Sequence, residues 1–200
     1  MPTTLQPPAP PHAGPQPRTR WTVEQFNHMG DLGWFEGRRA FLLDGVILEN
    51  GPMDPPHAIA LERLCDALRA VFTSGWRHRV QMPLHVDQYN DPLPDYTVLP
   101  GVAQYGNGHP TSGSLVVEVA DTSLMMDVTE KAERYATAGI KDYWVLDLNA
   151  RQLIVFRDPV PLPAGLGATA YRTRTVLNPT DTVSPLAAPT ATITVGDLLP

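Results

Sequence analysis

The stretch 114-SLVVEVADTS-123 decides the reading, because it sets one glutamate inside a run that otherwise belongs in a protein core. Apolar residues stand on both faces of the run, which marks a central strand rather than one with a wet side. By the period of two, Glu118 shares a face with Val116 and Ala120. An ionised carboxylate removed from water is costly unless a cation or hydrogen-bond donors meet it. Two readings are open: a glutamate paired with an arginine or turned to solvent on an edge strand, and a partnered functional carboxylate. The apolar neighbours on either side favour the second.

Downstream, MMDVTEKAERYATAGIKDYWVLDLN reads as a helix and then a strand. Asp127 and Glu130 suit an N-cap and its reciprocal partner, and Gly139 suits the C-terminal stop. The unit is a β-helix-β crossover, with hairpins before and after it. Lys131 lies on the first turn of this helix, one turn before Tyr135 on the same face. It is either a solvated lysine beside Glu130 and Glu133 or the cation that reaches Glu118.

Upstream, Asp95 opens the short extended run LPDYTV. Alone, Pro-Asp is ordinary turn chemistry. Consecutive short strands usually lie side by side, however, so Asp95 and Glu118 are expected to converge within reach of one metal ion. Two hard carboxylates with open positions suit Mg²⁺ or Mn²⁺ better than zinc. His57 opens the helix in PPHAIALERLCDALRAVFTSG; it is a surface or capping residue, or an imidazole with a catalytic or substrate-contacting role. The apolar positions Ile59, Leu64, Leu68, Val71 and Phe72 recur along that helix, and Gly75 follows its end.

The remaining elements frame this centre. Thr22 and Gln25 have capping-box spacing before a short helix from about Val23. Asp44-Gly45 in AFLLDGVILENG is a hairpin signal, since both central residues of a type I′ turn need positive φ. HRVQMPLHVD reads as a strand in which Pro83 marks a bulge or an edge. Further strands are expected at RQLIVFR, AYRTRTVL and TATITV. Tyr143 and Trp144 read as core, and Asp147 as the end of a strand.

Composition narrows the classes. The chain has 200 residues, a net charge of -6 and 42% hydrophobic content, which fits one globular domain over 21–200 and gives no electrostatic case for nucleic acid. Basic clusters at Arg38-Arg39, Arg77-His78-Arg79 and Arg172 with Arg174 are the local exceptions. One cysteine, Cys65, excludes an internal disulfide and multi-thiolate zinc sites and fits a reducing, cytoplasmic setting. No apolar run reaches membrane-spanning length. Residues 1–20 carry seven prolines and read as a disordered, polyproline-like tail. Neither a phosphate-cradling glycine loop nor a GxSxG or HExxH motif appears.

From LLDG to LDLNARQLIVFR, about three quarters of its length, the chain resembles the Uma-type family of restriction-endonuclease-like proteins in the PD-(D/E)XK nuclease superfamily. The resemblance rests on motif order: DG, a His opening a helix, PD, LVVEV, D-x-x-x-K, RYATAGIKDYW and VLD. It implies an α/β (mixed α+β) fold with a restriction-endonuclease-like core. In that fold a mixed central sheet is flanked by helices, with an N-terminal β-hairpin and C-terminal strands. It further implies a Mg²⁺- or Mn²⁺-dependent endonuclease acting on DNA, with Asp95 and Glu118 as metal ligands, and a homodimer. The superfamily's usual strand lysine falls here at Ala120, and Lys131 is similar to a migrated replacement. Two departures stand out. Phe41 occupies a position where relatives usually carry Glu, and Asp121 one where they tend to carry Ser; Asp121 and Glu49 are the acids placed to compensate. Loss of the acid leaves a second expectation, a catalytically eroded relative that binds nucleic acid or protein.

Overall fold

The computed structural model describes residues 19–102, 108–161 and 169–200. The expected proline-rich tail lies outside the described residues as far as residue 18. Arg20 is already anchored: its Nε donates to the Asp44 carbonyl at 3.0 Å, and its guanidinium stacks 4.0 Å over the Tyr89 ring.

Helix α1 (Val23–Asp31) begins at the expected capping box, with Gln25 N–H donating to Thr22 Oγ1 at 3.2 Å and Thr22 N–H to Gln25 Oε1 at 3.0 Å. Strands β1 (Arg39–Leu43) and β2 (Val46–Asn50) then form a two-stranded hairpin in which Leu43 faces Val46. Asp44 and Gly45 between them have φ of 53° and 72°, the backbone a type I′ turn requires. The hairpin supplies one wall of a cleft.

Helix α2 (Pro55–Val71) is capped by Asp54, whose Oδ1 accepts from His57 N–H. It buries Ala60, Leu61, Leu64, Cys65 and Leu68, with Phe72 just beyond. Ile59, expected on this stripe, is exposed. It precedes Leu68 by nine positions, or two and a half turns, so it points the opposite way.

The main sheet runs β3 (Trp76–Val80), β4 (Tyr96–Pro100), β5 (Leu115–Ala120), β6 (Asp142–Asp147), β7 (Gln152–Pro161) and β8 (Thr169–Leu177) in spatial as well as chain order. Only β5 and β6 pair in parallel; the other neighbours are antiparallel. Two strand expectations need correction. The strand placed over 78–87 begins at Trp76 and stops at Val80, because Gln81 turns to φ 52° and donates its N–H to the Asp95 carbonyl. The strand placed at TATITV shrinks to β10 (Ile193–Thr194), paired with β9 (Thr182–Val183), and the chain passes into the short α5 (Val195–Leu198).

Alternation sorts the core into two layers. Tyr96, Val98, Val117, Val119, Trp144 and Leu146 pack with residues of α2 and α5. Val116, Ala120, Tyr143, Val145, Ile154 and Phe156 pack with Ala132 and Tyr135 of the crossover. Glu118 belongs by pleat to the second layer. All six residues of β5 are buried, as a strand covered on both faces must be.

The crossover helix has three parts: α3 (Leu124–Met126), a π-helical segment (Asp127–Lys131) and α4 (Ala132–Thr137). Gly139, at φ 73°, ends it as expected. Asp127 is not the N-cap. The helix starts three residues earlier, after Ser123, and Asp127 N–H bonds back to the Ser123 carbonyl inside it. The aspartate side chain therefore turns inward, 1% exposed, instead of closing the backbone at a helix end. Lys131 accordingly sits at the end of the π segment, beyond the first turn. No helix among the described residues is long and apolar enough to cross a membrane.

Candidate active site

Strand register brings the two expected carboxylates together. In the β4–β5 ladder Tyr96 faces Val117 and Thr97 faces Val116, so the next step in the same register opposes Asp95 and Glu118. Asp95 Oδ2 also accepts the N–H of Val119, the residue after Glu118, at 2.8 Å. Both carboxylates line a cleft of about 470 Å³ with Arg39, Phe41, His57 and Lys131. All four side chains singled out in the sequence, His57, Asp95, Glu118 and Lys131, therefore meet at one place.

Glu118 is 2% exposed and has two partners. Tyr135 donates its hydroxyl to Oε1 at 2.8 Å, and the Lys131 ammonium lies 3.0 Å from Oε2. The same ammonium lies 2.8 Å from Asp127 Oδ1, while Ser123 donates to Asp127 Oδ2 at 2.5 Å. Lys131 thus reaches the buried glutamate, and the solvated-lysine alternative does not describe it. The π segment, one residue per turn wider than an α-helix, lies where Asp127 and Lys131 face the strand; such local widening recurs at functional sites.

The charges do not balance. Two buried carboxylates, Glu118 and Asp127, share one ammonium. Burial pushes the Glu118 carboxyl up to about 8 against the pull of Lys131, and the Asp127 and Asp95 charges push the same way. Burial also works against the Lys131 cation, but the two carboxylates in contact outweigh it and hold the ammonium charged above the ordinary lysine range.

Asp95 behaves differently. Its burial opposes ionisation, yet His57, the Gln81 amide and the Val119 N–H together hold the carboxyl below its usual value. His57 Nε2 lies 3.2 Å from Asp95 Oδ1, and that hydrogen bond raises the imidazole above its ordinary pKa despite partial burial. His57 is therefore tied to a site carboxylate by its side chain and to the helix N-terminus by its backbone.

Three partners, Tyr135, Gln81 and Arg39, were not legible as site residues, and Asp127 entered only as a cap and as part of D-x-x-x-K. Tyr135 and Asp127 stand one turn either side of Lys131, so the spacing D-x-x-x-K-x-x-x-Y was the available signal. Gln81 donates to Asp95 Oδ1 at 3.0 Å from the residue that breaks β3. Arg39 enters from the first residue of β1, and nothing in the sequence separates it from Arg38. Phe41, the departure noted above, is 4% exposed and turns its ring toward the Lys131 ammonium, 5.9 Å from the centroid. Glu49 and Asp121 both line the cleft; Glu49 is ion-paired with Arg38 at 2.7 Å, and Asp121 accepts from Asn149.

Comparison with known proteins gives the frame for this geometry. Residues 23–196 match the Uma2 family model, described as "Putative restriction endonuclease". The chain belongs to the Uma2 family. Among solved structures, the Uma2 chain is similar to a protein of Anabaena variabilis described as "a putative nuclease belonging to DUF820". That match has a TM-score of 0.60 and 14% identity, and covers 80% of this chain and 88% of the other. At that identity the likeness concerns the fold, and it agrees with a mixed α+β core whose central sheet is flanked by helices. No curated protein matches the chain.

Proposed function

We propose that this Uma2 protein is a divalent-metal-dependent endonuclease that hydrolyses phosphodiester bonds in DNA. The observation that carries the reading is the opposition of Asp95 and Glu118 across two antiparallel strands, with Lys131 against Glu118 at the floor of one cleft. The donor set fits Mg²⁺ or Mn²⁺ in kind: two hard oxygen-donor carboxyls stand together, Asp95 held below its usual value and Glu118 carrying a proton that a cation would displace. Among the described residues no group of three His, Cys, Asp or Glu side chains is arranged to hold a metal ion. Asp95 and Glu118 would therefore supply two protein ligands, and water and a substrate phosphate the rest, a division typical of Mg²⁺ sites. Once bound, such an ion supplies Lewis acidity at the phosphoryl oxygen and a water of lowered pKa.

The chain's own groups do the remainder. Lys131, held by Asp127 and Glu118, places a fixed positive charge where the phosphoryl group gains negative charge. Tyr135 fixes the Glu118 carboxylate by donating to Oε1, leaving Oε2 oriented toward Lys131. His57 and Gln81 hold Asp95 in the same way. His57, half-buried at the cleft wall, is placed to exchange a proton with a water or leaving oxygen whenever Asp95 is engaged elsewhere.

A second reading, a catalytically eroded relative that binds nucleic acid or protein, draws support from the two-carboxylate limit and from Phe41 in the place of an acid. Incubating linear duplex DNA with wild type, Glu118→Gln and Asp95→Asn, with and without Mn²⁺ or Mg²⁺, separates the two. The nuclease reading expects metal-dependent cleavage by wild type that falls by at least about a hundredfold in either variant, the scale set by deleting one transition-state partner. Cleavage unchanged in both variants would sink the site assignment, and no cleavage by wild type with either ion favours the binding module.

A further inference from the structure

Three cationic side chains line the cleft: Arg39, His57 and Lys131. His57 is engaged by Asp95, and Lys131 by Glu118 and Asp127. Arg39 differs from both. Among the described residues its guanidinium forms no ion pair or side-chain hydrogen bond, and its Nη2 is buried without a partner. The neighbouring Arg38 is exposed, already ion-paired with Glu49 at 2.7 Å and donating to the Trp34 carbonyl. The two adjacent arginines, Arg38 before β1 and Arg39 its first residue, are thus chemically distinct.

A guanidinium with a desolvated, unpartnered N–H edge is under-satisfied, and its planar fork matches an anionic oxygen pair. The cleft walls also carry five acids, Glu49, Asp54, Asp95, Glu118 and Asp121, and none of them is ion-paired with Arg39. A free cation in that setting attracts an anion that enters the cleft rather than one of the fixed carboxylates. Its charge also reaches His57, which it pushes toward the neutral imidazole.

We infer that Arg39 is a phosphate-binding residue of the cleft, gripping a backbone phosphate of the nucleic acid beside the phosphodiester presented to Asp95 and Glu118. The inference rests on the nuclease reading for its substrate class. It adds the group that lets an acidic protein hold a polyanion at an acidic site: one unpaired guanidinium on the hairpin wall, facing the strand carboxylates. Backbone contacts of this kind position the duplex and carry no sequence information.

The test is duplex DNA binding by fluorescence anisotropy over a salt series, with Ca²⁺ as the divalent ion. Wild type is compared with Arg39→Met, Arg39→Lys and Lys141→Met. Lys141 is exposed and lies at the opposite end of β6 from the cleft. Arg39→Met should bind about tenfold more weakly and lose about 0.9 from the slope of log K against log salt, the signature of one phosphate contact. Arg39→Lys should keep the slope and lose part of the affinity, since charge survives and the fork does not. Lys141→Met should match wild type. Equal affinity and slope in wild type and both Arg39 variants would overturn the inference while leaving the nuclease reading intact. Absence of any duplex binding by wild type would overturn both together. Melting curves keep a misfolded Arg39→Met from being scored as weak binding, and the lysine variant then decides.

Discussion

Replacing Lys131 by Met tests the charge arrangement at the centre of the fold. The ammonium lies 3.0 Å from Glu118 and 2.8 Å from Asp127, with side-chain exposures of 9%, 2% and 1% for the three. Methionine keeps most of the buried stem and removes only the charge. Glu118 then retains the Tyr135 hydroxyl and Asp127 the Ser123 hydroxyl, and neither donor neutralises a carboxylate. Breaking a buried pair in this manner costs about 3–5 kcal/mol. For a domain of this length each kcal/mol moves the melting temperature by roughly 2–4 °C, so a fall of roughly 6–20 °C is expected at pH 7. Urea melts monitored by circular dichroism read the same loss as a lower midpoint at unchanged slope. Two further readouts separate charge from packing. Adding Asp127→Asn to Lys131→Met should recover part of the loss, because one of the two stranded carboxylates disappears; the coupling expected of contacting residues is about 0.5–3 kcal/mol. Raising the pH past 8 should widen the gap, since the Lys131 charge is what lets the buried Glu118 shed its proton there. A loss under about 1 kcal/mol, or strictly additive effects in the double variant, would refute the idea that Lys131 compensates both acids.

Two other outcomes follow from the same structure. Folded Glu118 keeps its proton to about 8, whereas the unfolded chain sheds it near the ordinary glutamate value of 4.5. The folded state therefore binds more protons within that window, and stability should fall as pH rises from 4.5 toward 8. Melting temperature against pH should show that decline in wild type and a flatter profile in Glu118→Gln; parallel profiles would contradict the burial argument. Gly45→Ala should destabilise by about 1–3 kcal/mol, because φ there is 72° and a Cβ would come within 2.6 Å of Arg20 Cβ and 3.0 Å of Arg20 Cα. Gly51→Ala, where nothing lies within 4 Å and φ is unconstrained, should change the denaturation midpoint little by comparison.

Local chemistry made much of this fold readable. Asp44-Gly45, Thr22 with Gln25, Gly139 and the two-sided apolar run of β5 each impose one backbone geometry whatever surrounds them, and each appears where its residues stand. The convergence of Asp95 with Glu118 was legible for a related reason: neighbouring short strands leave few registers. What escaped depends on partners far along the chain. Asp127 has the composition of an N-cap, and only Lys131 facing a buried strand explains why it lies inside the helix instead. The end of β3 at Gln81 answers to the Asp95 carbonyl, a contact without local signature. Ile59 was misplaced because an apolar residue at helical spacing can satisfy the pattern while pointing half a turn from the core. Arg39 differs from Arg38 only through the company each side chain keeps.

The position of Phe41 ties the energetics to the proposed chemistry. With Glu118 and Asp127 against Lys131, the buried cluster holds two acids for one ammonium, and Glu118 keeps its proton to about 8. A third acid at position 41, 4% exposed and near the same ammonium, would add a carboxyl with no cation of its own in low dielectric. The aromatic ring instead faces Lys131 at a distance compatible with a weak cation–π contact, which favours the ammonium without adding net charge. Phenylalanine thus makes the ion-free site cheaper to fold and, by the same amount of charge, less attractive to a divalent cation. The two proposed functions differ on this trade: a nuclease needs the Glu118 and Asp95 carboxyls alone to suffice for one ion completed by a substrate phosphate. An anion-gripping residue such as Arg39 then matters more, since it delivers the phosphate that the missing acid no longer helps an ion to recruit.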